Sequence, residues 1–426
     1  VITVGVIGAG PAGIMAALEA ARSGTPVLLF DGNRIVGRKL LATGNGRCNL
    51  SNANVAPERY TCADSSFLAK MLARLPREQL LAHLRHLGIL TYCTADGWYY
   101  PVSNSAVTVV DALSAALTLA GVEVRLQTTI TDICWDVTKF VLTANETREL
   151  REAPKASHTY GISVDRLIVA AGGKAYPALG ARGICFPLLA KLGHTIVPLR
   201  PALAPVLADV KQFHKLQGVR LDVGLALYLG EAKLGETVGN LMFTQTGFSG
   251  PAAMDLSHLL SAHPGAPLRL TLNLIPRHLA ELRQLIADKR TLSIPLRTIL
   301  AAVLPPKVPP VFLGLAGLSV DIALNQVSES KLDQVLRLLT SISVAVKGTG
   351  GFEVAQSSSG GVPVTEVDPL SMESRRVKGL YLVGEVLDVV GPCGGYNLHF
   401  AFSSGAIAGM AISHELAHSC TQMLRR

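Results

Sequence analysis

Three glycines near the start of the sequence have the spacing of a phosphate-binding turn: Gly8, Gly10 and Gly13. In such a turn the first glycine permits a tight bend from strand to helix, and the second lets backbone amides approach a pyrophosphate. The third lets the helix pack closely on the strand, and the helix start offers N–H groups and a favourable dipole to the phosphates. We therefore expect this turn, with Pro11 and Ala12, to bind a dinucleotide.

The segments around the turn complete a β–α–β unit. Residues 1–7 form a buried strand pattern, residues 14–23 an Ala-rich helix, and residues 26–30 a second strand that ends at Asp31. A carboxylate in that place can bind ribose hydroxyls, which suits NAD or FAD better than NADP. Asp31 is therefore predicted to contact the cofactor.

A second strand pattern, at residues 379–383, delivers Gly384 and Glu385 to its carboxyl end, and Asp388 follows. A dehydrogenase that binds only NAD has no need of such a motif. In FAD enzymes a strand of this kind approaches the ribityl and pyrophosphate portion of the cofactor. The two motifs, at opposite ends of the chain, together predict a two-dinucleotide-binding flavoprotein.

Glycines also precede the last predicted helix, at residues 397–416. The entry to this helix consists of Gly394, Gly395, Tyr396 and Asn397. Glycines before a helix expose backbone amides that suit a developing negative charge. A reduced flavin carries such a charge, so amides here would stabilise it. We expect these four residues to contact FAD.

The loop at residues 32–56 is polar, basic and without clear periodicity, and long loops inside compact domains are often functional. Arg38 and Lys39 could bind a phosphate or the flavin edge. Small residues after a predicted buried strand at 166–170 would let its end approach the cofactor. The further cofactor contacts predicted in these two places are Gly46, Arg47, Cys48 and Gly172.

The pattern of elements changes near residue 195 and changes back after residue 348. Within that region, 203–209, 219–229 and 268–274 are strand-like, 277–303 and 329–341 are helical, and a Pro-rich stretch at 305–310 joins the helices. This indicates an insertion with a β part and a helical part. Outside it, residues 64–90 and 107–120 are predicted helical, 122–128 a strand, and 130–165 a β-meander.

The chain has 426 residues, an apolar fraction of 49% and a charged fraction of 16%, which indicates a well-buried globular protein of two or three domains. Its net charge of +8 makes an anionic partner plausible. No apolar run is long enough to span a membrane, and no secretory leader pattern opens the sequence. The 7 scattered cysteines indicate free thiols in a reducing compartment, with no zinc site or disulfide framework. We expect a cytoplasmic protein.

These segments resemble the bacterial HI0933-like flavoproteins of the YhiN/BaiN type, most specifically at residues 37–52 and 379–404, and also at 241–251. The resemblance covers the whole chain. It implies an α/β fold: a discontinuous Rossmann-like FAD-binding domain with an inserted β-barrel and a helical subdomain. The implied boundaries are 1–192 with 346–426 for the FAD domain, 193–275 (with part of 310–345) for the barrel, and 276–345 for the helices.

The resemblance also implies an activity, the reduction of activated carbon–carbon double bonds by hydride from the flavin. An acid must then protonate the neighbouring carbon, and Cys48, Tyr396 and His399 are the candidates, with Cys48 first. Because no second Gly-x-Gly-x-x-Gly is present, NADPH or NADH is expected to visit the flavin transiently.

The substrate remains open between several classes. The resemblance implies uridine in large-subunit ribosomal RNA, reduced to dihydrouridine, as one substrate, and this one is favoured because a basic protein can neutralise phosphates. The low aromatic content argues against an obvious stacking platform, and the inserted region is expected to bind the substrate. A small enone of the steroid type is the alternative. A flavin-dependent amine oxidase and a redox sensor without turnover are further possibilities.

Overall fold

The computed structural model describes residues 2–148 and 156–423. Val1 and residues 149–155, which belong to the predicted first strand and meander, lie outside the described residues. The strands are β1 Val4–Ile7, β2 Val27–Phe30, β3 Ser51–Asn52, β4 Thr91–Cys93, β5 Trp98–Pro101, β6 Glu123–Arg125, β7 Thr128–Trp135, β8 Phe140–Arg148, β9 Ala156–Val164, β10 Arg166–Val169, β11 Val197–Ala202, β12 Val206–Ala208, β13 Arg220–Leu229, β14 Ala232–Phe243, β15 Gly247–Ser249, β16 Leu268–Asn273, β17 Ile342–Thr349, β18 Ser357–Gly361 and β19 Leu380–Leu382. The helices are α1 Pro11–Ala21, α2 Ser65–Arg74, α3 Arg77–His86, α4 Ala106–Leu119, α5 Cys185–Lys191, α6 Pro251–Met254, α7 Ser257–Ala262, α8 Leu279–Lys289, α9 Leu296–Leu300, α10 Val308–Leu315, α11 Glu329–Ser341 and α12 Tyr396–Met423.

A parallel sheet with strand order β19-β10-β1-β2-β6 forms the centre of the first compact unit. Its central strand β1 consists of Val, Gly and Ile and is buried throughout, as expected of a strand covered on both faces. The chain leaves β1 for β2 on one side and returns to β10 on the other. Ligands in such sheets bind where the strand order reverses, at the carboxyl ends of the strands. The predicted Rossmann-like α/β fold is confirmed.

Helices α1 and α12 cover this sheet and pack closely against each other. A Cβ atom on Gly405 would lie 2.0 Å from the Ala12 carbonyl oxygen, and one on Gly409 would lie 2.4 Å from the Ala16 carbonyl oxygen. Only glycine lets the two backbones approach this closely. The C-terminal helix is thereby held against the first helix of the chain.

The chain divides into two compact units, residues 1–199 with 357–426 and residues 200–356. In the second unit β12-β15-β14-β13-β16-β17 close into a barrel, which confirms the barrel that the resemblance implied. Phe213 stacks on Phe312 of α10 at 6.0 Å and meets Phe243 of β14 at 5.5 Å between ring centroids. The barrel and the helices of this unit therefore share one hydrophobic core.

Prolines account for the differences from the predicted helices. Residues 64–90 form two helices because Pro76 caps α3, and residues 277–303 form α8 and α9, with Pro295 immediately before α9. Residues 305–307 of the stretch predicted to be a connector precede α10, whereas residues 308–310 already form its first turn, with two prolines. A proline is tolerated there because the N–H that it lacks would have no helical partner.

Candidate functional site

The glycine turn between β1 and α1 has the close backbone approaches that its spacing predicts. Gly8 has φ +104°, and its N–H donates to the Phe30 carbonyl oxygen at 2.7 Å. A Cβ on Gly13 would lie 1.8 Å from the Gly8 carbonyl oxygen, whereas one on Gly10 would meet nothing within 4 Å. Gly8 and Gly13 are thus required by the fold, and the space beside Gly10 is open for a ligand. Pro11 begins α1.

Asp31 fixes the turn from the end of β2. Its Oδ2 accepts a hydrogen bond from the Ala9 N–H at 2.7 Å, and its Oδ1 accepts from the N–H and side chain of Asn33 at 2.7 and 2.9 Å. Exposed Arg38 donates to Asn33 Oδ1 at 2.9 Å. The predicted cofactor residues Asp31 and Arg38 therefore lie together beside the glycine turn.

Lys39 and Glu385 bring the two terminal motifs together. The Lys39 ammonium lies 2.9 Å from Glu385 Oε2, and both side chains are largely buried. Glu385 Oε1 accepts from the N–H and hydroxyl of Ser358 at 2.7 and 2.8 Å and from the Ser357 hydroxyl at 3.2 Å. These bonds satisfy the carboxylate at the end of β19.

Three further predicted cofactor residues adjoin this pair. Gly384 has φ +66°, and a Cβ added to it would lie 2.9 Å from the Cβ of Ala12. A Cβ on Gly172, which has φ +73°, would meet no atom within 4 Å, so there is open space after β10. Asp388 Oδ1 accepts from the Gly360 N–H at 2.7 Å.

The entry to α12 is held by two asparagines. Asn397 accepts from the Gly391 N–H at 2.9 Å and donates to the Gly391 carbonyl at 2.8 Å, while Asn52 donates to the Gly394 carbonyl at 2.8 Å. Among residues 2–148 and 156–423, the amides of Gly394, Gly395 and Tyr396 donate to no protein acceptor. Such a row of amides can bind an anionic or carbonyl oxygen.

The loop that contains Gly46, Arg47 and Cys48 packs against this entry. A Cβ on Gly395 would lie 2.4 Å from the Ser51 carbonyl oxygen, which shows how closely the two segments approach. Gly46 has φ +82° and is exposed, as is Arg47. Cys48 is fully buried.

The three predicted proton donors are all buried. Burial raises the pKa of the Cys48 thiol to about 11, so the thiol is protonated at neutral pH. Burial, with the nearby Arg77 cation, lowers the pKa of His399 to about 4, so its ring is neutral; Nδ1 lies 2.9 Å from the Ser51 hydroxyl. Tyr396 donates to the Asn54 carbonyl at 3.4 Å. Their catalytic roles stay predictions.

The sequence analysis included Ser51 and Asn52 in the polar loop without giving them a role, and it did not identify Ser357 and Ser358. Ser358 lies 27 positions from Glu385, and Ser51 lies 348 positions from His399. No fixed spacing signals such pairs.

The residues present fit FAD. A pyrophosphate suits the open space at Gly10 and Gly172 and the helix start at Pro11. A flavin edge suits the unpartnered amides at the start of α12. In the described part of the chain, no group of three or more His, Cys, Asp or Glu side chains is placed to hold a metal ion. Nor does any described helix combine the length and apolarity needed to cross a membrane.

Comparison with known proteins identifies the family of the chain. The family model described as HI0933-like protein Rossmann domain matches residues 2–411. The chain is 31% identical over 415 residues to a 3-dehydro-bile acid delta(4,6)-reductase of Clostridium scindens, covering 96% of this chain and 98% of the relative. It is 30% identical over 407 residues to a ribosomal RNA dihydrouridine synthase of Escherichia coli, covering 94% and 95%. A ribosomal RNA dihydrouridine synthase of Haemophilus influenzae is 28% identical over 416 residues, covering 96% and 98%. The chain therefore belongs to the HI0933-like family of FAD-dependent oxidoreductases.

Proposed function

We propose that the protein is an NAD(P)H-driven reductase of an activated carbon–carbon double bond, and that its substrate is uridine in large-subunit ribosomal RNA. The names of the relatives support the reaction, since a delta(4,6)-reductase and a dihydrouridine synthase both saturate a conjugated double bond. A cytoplasmic location belongs to this proposal and is supported by the finding that none of the six described cysteines forms a disulfide.

The observation that carries the choice of RNA is the distribution of charge. Residues 22–101, which include the loop that packs against the α12 entry, contain ten basic and five acidic residues, and this segment accounts for much of the net charge of +8. A reductase that acts on RNA must neutralise several phosphates. The basic residues of this segment, among them Arg47 and Arg59, which lies 6.0 Å from the ring centre of Tyr396 in α12, would meet that requirement.

The chain's own residues would bind and orient the cofactor. The amides of Gly10 and of the start of α1 would hold the pyrophosphate, and Lys39 and Glu385 would join the two segments that enclose it. The amides of Gly394 and Gly395 would stabilise negative charge on the flavin edge. FAD, when bound, supplies the transfer of hydride from the nicotinamide to the substrate.

The proton that completes the reduction must come from the protein or from water. We propose Cys48 as its donor, because its thiol is fully protonated at neutral pH and it lies in the loop against the α12 entry. Since Cys48 is buried, the transfer requires the loop to open or a water molecule to relay the proton.

A small enone is the second candidate substrate, and one observation favours it. The bile acid reductase relative is 31% identical, against 28% and 30% for the two dihydrouridine synthases. The differences are small, so identity does not decide between the substrates.

The decisive experiment is anaerobic. The FAD-loaded protein is reduced with NADPH or NADH and mixed with protein-free ribosomal RNA that lacks dihydrouridine, and flavin reoxidation is followed together with dihydrouridine by mass spectrometry. We expect coupled reoxidation and a single new dihydrouridine. Reoxidation by a steroid-type enone but not by RNA would replace the RNA assignment with the enone. Failure of both nicotinamides to reduce the flavin, with rapid peroxide formation from an amine in air, would instead indicate an oxidase.

A further inference from the structure

Aromatic side chains share one face of the small antiparallel sheet β3-β5-β4. Asn52 lies opposite Trp98, and Tyr92 lies opposite Tyr100. Because side chains alternate across a strand, Trp98, Tyr100 and Tyr92 project from the same face. Their ring centroids are 6.4 Å apart for Trp98 and Tyr100 and 6.2 Å apart for Tyr92 and Tyr100.

This face is more than core packing. Aromatic residues make up only 5% of the chain, with 2 Trp and 9 Tyr in all, yet residues 92–100 contain one Trp and three Tyr. Tyr100 is 1% exposed and forms the floor of the face. Trp98 and Tyr92 are only half-buried, so parts of their rings reach solvent. A solvated aromatic surface of this kind is able to stack against a planar ligand.

Trp98 lies directly beside the entry to α12. A Cβ on Gly394 would lie 2.8 Å from the Trp98 indole nitrogen and 2.9 Å from Cε2. Among the residues that the structure describes, the indole N–H has no hydrogen-bond acceptor. The ring thus borders the segment whose amides are proposed to meet the flavin edge, and it keeps a donor available to a ligand.

Positive charge accompanies the aromatic face. The Arg47 guanidinium lies 4.4 Å above the centre of the Tyr100 ring, and its Nη2 donates to the Tyr100 hydroxyl at 3.2 Å. The Arg59 guanidinium lies 6.0 Å from the ring centre of Tyr396, which is the first residue of α12. Within the described residues neither arginine makes an ion pair, so both charges remain available to an anion.

We propose that this stacking surface, formed by Trp98, Tyr92, Tyr100 and Arg47, binds a pyrimidine nucleotide of single-stranded RNA. The base lies against Trp98, and the neighbouring phosphates meet Arg47 and Arg59. Aromatic faces beside unpaired cations are the usual means of binding single-stranded RNA. The inference rests on the proposed function and places substrate contact in the FAD-binding unit, whereas the sequence analysis expected it in the inserted region.

The two tryptophans of the chain provide a direct test. Trp135 stacks on Phe140 at 6.5 Å, in the separate sheet β7-β8-β9, so Trp135→Phe leaves Trp98 as the only tryptophan emitter. The FAD-loaded W135F protein is titrated with a short oligouridylate and with an abasic oligomer of the same length. We expect the oligouridylate to quench Trp98 emission and the abasic oligomer to leave it nearly unchanged. Equal effects of the two oligomers would overturn base stacking.

Affinity measurements with a labelled oligouridylate make the test quantitative. Trp98→Ala should weaken binding about 5- to 150-fold, because base stacking contributes about 1–3 kcal/mol. Trp98→Phe should recover most of the affinity, and W135F, the matched control, should bind as the parent does. Arg47→Met should weaken binding and reduce its salt dependence by about one phosphate contact. Parental affinity in Trp98→Ala would overturn the proposal.

Failure of this inference can be told apart from failure of the proposed function. If Trp98 emission reports oligouridylate binding but no dihydrouridine forms, the nucleotide subsite stands and the proposed reaction fails. If dihydrouridine forms and Trp98→Ala leaves KM for RNA unchanged, the reaction stands and the stacking surface is refuted. Quenching by a steroid-type enone without any effect of oligouridylate would also refute a nucleotide subsite.

Discussion

The Lys39 ammonium lies 2.9 Å from Glu385 Oε2, so one ion pair joins residues that are 346 positions apart in the sequence. Each residue follows a strand of the central sheet: Lys39 lies in the loop after β2, and Glu385 lies just after β19. The pair therefore links the N-terminal and C-terminal segments of the cofactor-binding unit. Its partial burial makes the interaction stronger than a surface ion pair.

Lys39→Met should weaken FAD binding about tenfold. The variant leaves the Glu385 carboxylate without its cation, and hydrogen bonds to charged groups contribute about 1.5–3 kcal/mol. Fluorescence titration of the apoprotein with FAD measures the effect. Lys191→Met is the matched control, because Lys191 pairs with Asp132 at an exposed site. Equal FAD affinities in the two variants would contradict the role assigned to Lys39.

Two glycine substitutions separate ligand binding from folding. Gly10→Ala places a methyl group where the protein has no atom within 4 Å, so the fold should persist while FAD affinity falls by about tenfold or more. Gly13→Ala forces a Cβ against the Gly8 carbonyl and should lower thermal stability even without FAD. Melting temperatures of both apoproteins and FAD titrations of the soluble variants check this. Parental FAD affinity in Gly10→Ala would show that the pyrophosphate lies elsewhere.

The sequence predicted the parts of the site that belong to a fixed local unit. The turn from Gly8 to Gly13 has a spacing that follows from the geometry of one strand, one turn and one helix, and Asp31 ends the next strand of the same unit. Glu385 could be found for the same reason, at the end of a short apolar strand. Each position is set by neighbours in sequence.

The parts that the sequence did not predict depend on contacts between distant segments. Ser358 meets Glu385, and Ser51 meets His399, through packing that no spacing encodes. The aromatic face around Trp98 was missed because a low overall aromatic content concealed its local concentration. Helix boundaries at Pro76 and Pro295 were missed because an apolar periodicity continues across a proline that divides two helices.

Cys48→Ala should slow substrate reduction about 100-fold or more while leaving the reduction of FAD by NADPH unchanged, because general acids contribute about 10²–10⁴-fold. In the parent, the pKa of about 11 keeps the thiol protonated, so its contribution should be constant through neutral pH and lost only as the pH rises toward that value. Rapid-mixing measurements of the two half-reactions separate these steps. Full activity in Cys48→Ala would remove Cys48 as the donor and leave Tyr396→Phe as the next variant to assay.

His399 should make the protein acid-sensitive whether or not it takes part in catalysis. Its pKa falls from the ordinary 6.5 to about 4 because burial disfavours the charged ring. The unfolded state therefore binds a proton between these two values that the folded state does not, so stability is full above about 6.5 and is lost as the pH falls toward about 4. The loss of folding stability is on the order of 3 kcal/mol.

His399→Gln keeps a hydrogen-bonding group near Ser51 but does not titrate, so the urea-unfolding free energy of this variant should depend less on pH over this interval. Parallel pH profiles for the parent and the variant would show that His399 is solvated and titrates normally. A flatter profile for the variant would establish that the ring beside Ser51 is held neutral. A neutral ring cannot serve as an imidazolium acid at neutral pH.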